Sequence, residues 1–484
     1  MNDLNYDLIV VGSGPSGQKG AIAAAKMGKR VALIERGMSK MGGVCLHTGT
    51  IPSKTIREAI IYLTGFKHKT VYPDNYLDKR HITMNDLRTK LTDVIERERH
   101  IVRDQLERNY VDLFDGTASF VDQNTIGVTT HSSSRILTGD QILLSVGTKP
   151  SRPDHIPFDG KQVFDSDEIL GIPEIPRSMI VIGGGVIGIE YALMFATLGV
   201  KVTVVDARDQ LLSFCDHEII EHLMYNARSL GVSFRMGEEV SSIQVLDENN
   251  VEVVLGSNKR LVGETAFFSV GRVGDVDDLN VEAIGLDVDK RGKIKCDENY
   301  KTNVPNVYAV GDVIGFPSLA STSIEQGKNA VNKIYSGPVS NDKILPYGLY
   351  TIPEIAMVGK TEAQLTEESV PYEVGIARFE ELAKPHIIGN PTGILKLLFH
   401  RESHELLGVH CIGESAIEII HLGQAVIHFG GQIDYFCQSV FNHPTISEGY
   451  KVAAYDGINR NKCVCPSTLH PTTQKTDVPD AVAT

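Results

Sequence analysis

Short apolar runs and longer helical patterns alternate along this chain, and the same order of elements occurs twice. The predicted elements of the two units are, in chain order, a strand at 6–11, an Ala-rich helix that reaches residue 28, a strand at 30–34, a strand at 178–182, a helix at 189–199 and a strand at 201–205. Strands that alternate with helices predict parallel sheets built from βαβ units. We therefore expect an α/β fold with two Rossmann-like units in one chain.

A long amphipathic pattern separates the two units. Residues 85–107 carry apolar side chains at helical spacing with charged residues between them, which predicts a scaffold helix. Strand-rich segments follow at 114–121 and 142–146. At Thr148–Pro150 the residue types change to proline and polar groups, which predicts the end of the first domain.

Composition and charge limit the class of protein. A length of 484 residues predicts about three domains of ~150 residues each, and an apolar content of 42% suits a globular chain. The net charge of −14, with dispersed lysines and arginines, argues against nucleic acid and anionic membrane as partners. The sequence has neither a transmembrane pattern nor a basic leader, and its seven cysteines are mostly isolated. We expect a cytoplasmic protein with reduced thiols.

A glycine-rich turn joins the first strand to the first helix, with Gly12, Gly14 and Gly17 at the spacing Gly-x-Gly-x-x-Gly. Glycines there allow a tight turn and a close approach of the backbone to a pyrophosphate, and the helix N-terminus adds amide donors and a positive dipole. The next strand is followed by Glu35, whose carboxylate can accept hydrogen bonds from ribose hydroxyls. This order of elements predicts a dinucleotide site.

The second unit repeats the pattern with Gly183, Gly185 and Gly188, and Asp206 follows its second strand. A packing turn in another α/β fold explains one glycine loop more readily than two, so the pair predicts two bound dinucleotides. A carboxylate at Asp206 suits the free 2′-hydroxyl of NAD, whereas Arg208 can neutralise the 2′-phosphate of NADP. Having both favours use of both nucleotides, although Arg208 could simply be solvated.

A third motif, TNVPNVYAVGD at 302–312, predicts a strand that ends on a glycine and Asp312 before a helix at 320–330. There Asp312 could bind the ribityl chain of a flavin, and the helix N-terminus would point at the flavin pyrimidine ring. The alternative is an aspartate that caps a helix start.

With these three motifs, the chain resembles the pyridine nucleotide-disulfide oxidoreductase family over roughly residues 5–462. The segment GGVCLHTGTIPSK is similar to the redox-active helix start of its flavin disulfide reductases, with Thr50 in place of the second cysteine. Within the family, the soluble flavin-containing transhydrogenases also carry a threonine in GTIPSK. Similar runs are GVIGFPSLAS, LYTIPEIAMVGKTE and VPYEVGIARF.

The resemblance implies three domains and a homodimer or higher homo-oligomer. They are an FAD-binding domain at 1–150 and 275–345, an NAD(P)-binding domain at 151–274 and a C-terminal α+β dimerisation domain at 346–462. The tail at 463–484 is polar and is predicted to be disordered. The residues that the resemblance assigns to FAD are Gly12, Gly14, Gly17, Glu35, Arg36, Gly43, Ala118 and Asp312. Those that it assigns to NAD or NADP are Gly183, Gly185, Gly188, Asp206, Arg208, Gly271 and Arg272. No metal site is predicted.

The resemblance also implies catalytic roles. Lys54 would lie near flavin N5 and pair with Glu190, so that a placed cation favours the reduced flavin anion; an ordinary helix-surface pair is the alternative. Cys45 faces Thr50, and a hydroxyl neither closes a disulfide nor exchanges thiols. We therefore predict a ping-pong transhydrogenase, in which NADPH reduces the flavin, NADP leaves, and NAD enters the same pocket to take the hydride.

One motif departs from that branch, where tyrosine is usual at position 443. His443 and Glu448 match the HPT-x-x-E motif of the disulfide reductases, in which the partner's histidine moves the thiol proton. Because Thr50 removes the flavin-side sulfur, His443 could be an interface residue, could protonate another acceptor, or could be an inherited remnant. We favour the interface.

Three rival functions differ in where the electrons go. Reduced flavin could pass them to a quinone or dye, as in a diaphorase. Cys463 and Cys465 could form a mobile dithiol that supports a dihydrolipoamide dehydrogenase-like thiol oxidoreductase. The chain could also be a non-enzymatic flavin-binding component of a complex.

Overall fold

A mixed α/β arrangement is described for residues 4–66, 82–340 and 344–462 in a computed structural model. Its strands are β1 (Leu4–Val11), β2 (Val31–Glu35), β3 (Asp112–Asp115), β4 (Thr117–Asp122), β5 (Thr125–Thr129), β6 (Ser134–Leu144), β7 (Thr148–Pro150), β8 (Val163–Phe164), β9 (Ser178–Ile182), β10 (Lys201–Asp206), β11 (Ser233–Met236), β12 (Val240–Asp247), β13 (Asn250–Leu255), β14 (Arg260–Gly263), β15 (Thr265–Phe268), β16 (Arg272–Gly274), β17 (Val307–Ala309), β18 (Tyr347–Leu349), β19 (Ile355–Gly359), β20 (Tyr372–Arg378), β21 (Gly393–His400) and β22 (Leu406–Gly413). Its helices are α1 (Pro15–Lys26), α2 (Gly43–His47), α3 (Thr50–Leu63), α4 (Met84–Glu107), α5 (Val186–Thr197), α6 (His217–Ser229), α7 (Ala320–Ile334), α8 (Glu362–Glu367), α9 (Ala383–Ile388), α10 (Ala416–His428), α11 (Asp434–Gln438) and α12 (Glu448–Lys462).

The first sheet has the order β3-β2-β1-β6-β5-β4, and β17 also pairs with β6. Strands β3, β2, β1, β6 and β17 run parallel, whereas β4 and β5 form an antiparallel ribbon on β6. Helices α1 and α7 pack closely against each other because Gly327 has no side chain: a Cβ on it would lie 2.1 Å from the Ser16 carbonyl oxygen. The carboxyl ends of the parallel strands therefore share one edge, where the first glycine loop lies.

The second sheet, β11-β10-β9-β15-β8, is parallel throughout. Its helix α5 is buried from Gly188 to Thr197 because it packs between this sheet and α3. An antiparallel meander, β12-β13-β14, lies beside it, and β7 pairs with β16. The third sheet, β18-β19-β22-β21-β20, is antiparallel and is covered by α10 and α12.

The α/β class is confirmed, and two of the sheets contain the predicted parallel strands, although several element bounds differ. The predicted strand at 114–121 is two strands, since Gly116 breaks it at a φ of +144°. The predicted strand at 142–146 belongs to the longer β6, and the helix after the second glycine loop begins at Val186 rather than at 189. Periodicity located the elements but not their ends, which depend on single turn residues.

In the ranges 4–66, 82–340 and 344–462, each helix is too short or too polar to cross a bilayer.

Candidate functional site

A single cleft of about 1930 Å³ runs between the two parallel sheets and the third sheet. Ligand pockets usually occupy about 300–1,000 Å³, so this volume suits two elongated ligands. The predicted site residues that line the cleft are Gly12, Gly14, Glu35, Arg36, Gly43, Cys45, Lys54, Ala118, Gly183, Gly185, Glu190, Asp206, Arg208, Gly271, Arg272 and Asp312. Those outside its lining are Gly17, Gly188, His443 and Glu448.

The first glycine loop turns tightly against β6 and leaves one glycine facing open space. Gly12 has a φ of +98°, and a Cβ on Gly17 would lie 2.0 Å from the Gly12 carbonyl oxygen, so both glycines serve the turn itself. A Cβ on Gly14 would meet nothing within 4 Å. The chain does not need glycine at that position for its own packing, so Gly14 keeps room for a ligand.

The second glycine loop has the same geometry. Gly183 has a φ of +100°, a Cβ on Gly188 would lie 1.9 Å from the Gly183 carbonyl oxygen, and Gly185 again faces space that is open to 4 Å. The two cradles thus repeat in detail, each with one glycine available to a pyrophosphate.

A serine braces each loop, and sequence reasoning missed both. Ser145 Oγ donates to the Gly12 carbonyl at 2.8 Å, and Ser269 Oγ donates to the Gly183 carbonyl at 3.0 Å. The signal was a repeated Ser-Val-Gly, which directly follows β6 at 145–147 and β15 at 269–271.

The acid that ends the second strand of each unit holds the middle of the glycine loop. Glu35 Oε2 accepts from the Ser13 amide at 3.0 Å and from the Ser13 hydroxyl at 2.5 Å. Asp206 Oδ2 accepts from the Gly184 amide at 2.6 Å. These carboxylates therefore stabilise the turns as well as facing the cleft.

Asp206 is also bound by Arg208. The Arg208 amide and Nε donate to Oδ1 at 2.8 and 2.9 Å, and a terminal guanidinium nitrogen donates to Oδ2 at 2.6 Å. Burial opposes ionisation of Asp206, but the hydrogen bonds from Arg208 and Gly184 outweigh it and lower the pKa of the carboxyl. Arg208 is half exposed yet ion-paired, so it is held at the cleft wall.

Asp312 lies in a short helical turn after β17 and lines the cleft. Burial raises the pKa of its carboxyl, against the opposing charges of Lys293 and Arg272. The Lys293 ammonium donates to the Asp312 backbone carbonyl at 2.6 Å. Helix α7 begins at Ala320 with Leu319 at its N-cap, so its start lies well beyond Asp312 in the chain.

Lys54 and Glu190 form an ion pair where α3 crosses α5. The Lys54 ammonium lies 2.5 Å from Glu190 Oε2, although 136 positions separate the residues in sequence. The Glu190 side chain is 6% exposed and that of Lys54 is 22% exposed. Glu190 Oε1 accepts from the Tyr350 amide at 2.8 Å. This pair is therefore an internal contact at the cleft and differs from an ordinary surface pair.

Cys45 lies in α2 beside Thr50, the first residue of α3. Burial raises the pKa of its thiol, and a hydrogen bond with Thr50 opposes that shift. A thiol with a raised pKa is protonated at neutral pH and is a poor nucleophile. Cys45 thus faces a hydroxyl in the position where a disulfide partner would have to be.

The other predicted cofactor residues are held by neighbours. Arg36 lies 3.2 Å from Asp275, and Arg272 donates to the Thr148 carbonyl at 2.8 Å. Gly43 has a φ of +64°, and its Cβ would lie 3.1 Å from Gly14 Cα. Ala118 is buried in β4, and Gly271 has a φ of +79°.

His443 and Glu448 pair with each other outside the cleft lining. His443 Nδ1 lies 2.6 Å from Glu448 Oε1, and 69% of the histidine side chain is exposed. The Thr445 amide donates to Glu448 at 3.0 Å and is the main reason for the lowered pKa of that carboxyl. Cys463, Cys465 and the tail at 463–484 lie outside the described residues.

Comparison with known proteins places this geometry in a family. The model of the pyridine nucleotide-disulphide oxidoreductase family matches residues 6–330, and the model of that family's dimerisation domain matches residues 345–454. The chain is 49% identical over 462 residues to the soluble pyridine nucleotide transhydrogenase of Mycobacterium bovis BCG, across 95% of this chain and 98% of that protein. It is 44% identical to the protein of the same name from Aliivibrio fischeri, across 94% and 98%.

A solved structure shows the same likeness. The Cu(II) complex of the HOCl-induced flavoprotein disulfide reductase RclA from Escherichia coli superimposes with a TM-score of 0.84 at 25% identity, and the match covers 94% of this chain and 99% of that one. LpdA from Mycobacterium tuberculosis has the same fold, with a TM-score of 0.84 at 22% identity. The chain belongs to the pyridine nucleotide-disulphide oxidoreductase family.

Proposed function

We propose that the chain catalyses hydride transfer between NADPH and NAD, with FAD as its resident cofactor. One observation carries the proposal: at the junction of α2 and α3, the Cys45 side chain hydrogen-bonds to Thr50, so this position holds a single sulfur. Disulfide exchange at this point needs two sulfurs. The names of the similar transhydrogenases from M. bovis and A. fischeri support the same activity.

The residues of the first unit fit FAD. Gly14 leaves open space at the N-terminus of α1, where amide donors and the helix dipole suit a pyrophosphate. Gly12 and Gly17 shape that turn, Gly43 lies against Gly14, and Glu35 would accept a hydrogen bond from the ribose. In chain order the remaining candidates are Arg36, Ala118 and Asp312. When bound, FAD supplies a two-electron carrier that accepts and donates hydride.

The residues of the second unit fit a nicotinamide nucleotide. Gly185 leaves open space at the start of α5, within the turn that Gly183 and Gly188 shape. Asp206 would bind the 2′-hydroxyl of NAD, and Arg208 would bind the 2′-phosphate of NADP. Gly271 and Arg272 complete this set of candidates.

Lys54 would supply positive charge at the reacting end of the cleft. Glu190, nearly buried, holds the ammonium in place and balances its charge. A fixed cation there favours the reduced, negatively charged state of a flavin. The two nucleotides would use one site in turn, so that NADP leaves before NAD enters.

We propose three domains: an FAD-binding domain at 1–150 and 275–345, an NAD(P)-binding domain at 151–274 and a dimerisation domain at 346–462. In support, each of the three largest sheets lies within one of these ranges, whereas the small β7–β16 sheet joins the first two. The match of the dimerisation-domain model to residues 345–454 supports a homodimer. The exposed pair of His443 and Glu448 would then lie at the interface. We further propose that the enzyme works in the cytoplasm, where both nucleotides occur.

Initial rates of NAD reduction by NADPH, with both nucleotides varied, test this function. Parallel double-reciprocal lines are expected, because one nucleotide leaves before the other binds. Intersecting lines would contradict the shared site. NADPH oxidation that proceeds with a quinone but not with NAD would replace the proposal with a diaphorase.

A further inference from the structure

Tyr350 contacts both members of the Lys54–Glu190 pair, although it lies in the segment that follows β18 of the third sheet. Its backbone amide donates to Glu190 Oε1 at 2.8 Å. Its ring lies beneath the ammonium of Lys54, with 4.8 Å between Nζ and the ring centroid. The residue lies directly after β18 and lines the cleft, and no sequence motif predicts a role for it.

The two oxygens of Glu190 each have a different donor. Oε2 accepts from Lys54 and Oε1 accepts from the Tyr350 amide, while the side chain is only 6% exposed. Donors on both oxygens fix the plane of the carboxylate, and a fixed carboxylate fixes the ammonium it binds. The aromatic ring supplies a second attraction to the same ammonium, within the ~6 Å range of a cation–π contact.

Arg57 anchors the segment that carries Tyr350. Its Nε and one terminal nitrogen donate to the Thr351 carbonyl at 3.1 and 2.9 Å, and its other terminal nitrogen lies 3.5 Å from Glu354. Arg57 follows Lys54 by less than one turn of α3, and its side chain is 5% exposed. The helix that carries the lysine thus also holds the segment that positions it.

We propose that Tyr350 is a positioning residue for the reaction: its amide orients Glu190 and its ring holds the Lys54 ammonium at the reacting end of the cleft. This inference rests on the proposed function, because it assumes that Lys54 acts on bound FAD. The simpler account makes Tyr350 a packing residue between the third sheet and α3.

The test measures the two-electron reduction equilibrium of FAD in the holoenzyme, by redox-dye titration without nucleotides. Tyr350→Phe keeps the ring and the amide, so it should change the equilibrium constant less than about twofold. Tyr350→Leu removes the ring and should lower that constant about tenfold, which is 29.6 mV for a two-electron couple. Replacement of Tyr350 by phenylalanines with increasingly fluorinated rings keeps the shape of the ring but weakens the negative charge on its face. This series should lower the equilibrium constant for FAD reduction stepwise.

Lys54→Met separates positioning from packing. In that background the fluorinated series should have no further effect, since the cation that the ring holds is gone. Two results would overturn the proposal. In the first, ring fluorination and Lys54→Met lower the equilibrium constant for FAD reduction additively. In the second, ring fluorination leaves that constant unchanged while Lys54 is present. The fluorinated ring keeps its packing, so this arm decides the matter even if Tyr350→Leu fails to fold. Absence of NAD reduction by the wild type, with the ring effect present, would overturn only the proposed function.

Discussion

Arg208 holds the Asp206 carboxylate through three hydrogen bonds, at 2.8, 2.9 and 2.6 Å, so the two residues that we propose bind the nucleotide ribose are bound to each other. A 2′-phosphate would attract the guanidinium and repel the carboxylate, whereas a 2′-hydroxyl would donate to the carboxylate. The pair would therefore offer either nucleotide one favourable partner: the carboxylate for a 2′-hydroxyl and the guanidinium for a 2′-phosphate.

Arg208→Ala should separate the two nucleotides kinetically. Loss of a charged hydrogen bond costs about 1.5–3 kcal/mol, so the KM for NADPH should rise by about 10- to 150-fold while the KM for NADH changes little. Initial rates with each nucleotide and a dye acceptor measure both constants. Arg177→Ala is the matched control, because that exposed arginine pairs with Glu264 and lies outside the cleft lining. An equal rise in KM for both nucleotides would show that Arg208 does not bind the 2′-phosphate.

The two open glycines allow the cofactor sites to be impaired one at a time. Alanine at either position fits the chain, since Gly14 and Gly185 have φ of −59° and −73° and open space to 4 Å. Gly14→Ala should weaken FAD binding and Gly185→Ala should weaken nucleotide binding. Each affinity should fall about 5- to 150-fold, because overpacking by one methyl group costs about 1–3 kcal/mol. Fluorescence titration of the apoprotein with FAD, and of the holoenzyme with NADP, measures the two affinities.

Gly171→Ala serves as the control, because its Cβ also meets nothing within 4 Å and Gly171 lies outside the cleft lining. All three variants should unfold at the same denaturant concentration as apoprotein. If Gly14→Ala bound FAD as tightly as the wild type, the first loop would not be the pyrophosphate site.

Lys396 is a buried cation in the third sheet, and its removal should destabilise the protein. It lies 2.9 Å from Asp216 and 3.0 Å from Glu218, and it also binds Glu362. Lys396→Met leaves these carboxylates without their cation, so the free energy of unfolding at neutral pH should fall by about 3–5 kcal/mol. Urea titration measures the loss. Lys328→Met, which removes a surface pair with Glu325, should cost less than about 1 kcal/mol.

Acid should reduce the effect of Lys396→Met. Burial opposes ionisation of Asp216, yet the charges of His410 and Lys396 outweigh it and lower the pKa of that carboxyl. A lowered folded-state pKa gives stability above the unfolded value of about 3.9, and that stability is lost as the pH falls through the folded pKa. The difference in the free energy of unfolding between the wild type and Lys396→Met should therefore become smaller below about pH 4. A difference independent of pH would assign the loss to packing alone.

The sequence predicted the glycine cradles well because each one is a local pattern: a strand, a turn and a helix. Ser145 and Ser269 were missed because their part in the cradles is tertiary, although the repeated Ser-Val-Gly marked them. The pairing of Lys54 with Glu190 came from the family resemblance, since no local pattern links residues 136 positions apart. Tyr350 could not be predicted from the sequence, because its contacts join the segment after β18 to α3 and α5, which are distant in the chain.

Thr50→Cys should restore a second sulfur beside Cys45. The two side chains already interact, so an oxidised pair can form if the geometry of α2 and α3 adjusts slightly. The variant should take up two more electrons per FAD than the wild type. Alkylation of the reduced thiols should abolish this additional uptake. Thr50→Ser, which keeps a hydroxyl, should behave as the wild type does. Equal electron uptake by both variants would show that these positions cannot form a disulfide.

If hydride passes between the two nucleotides without a relay disulfide, the flavin alone stores electrons in the holoenzyme. Anaerobic reductive titration of the wild-type holoenzyme, followed by the flavin spectrum, measures that capacity. We expect an end point at two electrons per bound FAD. An end point at four electrons would contradict it.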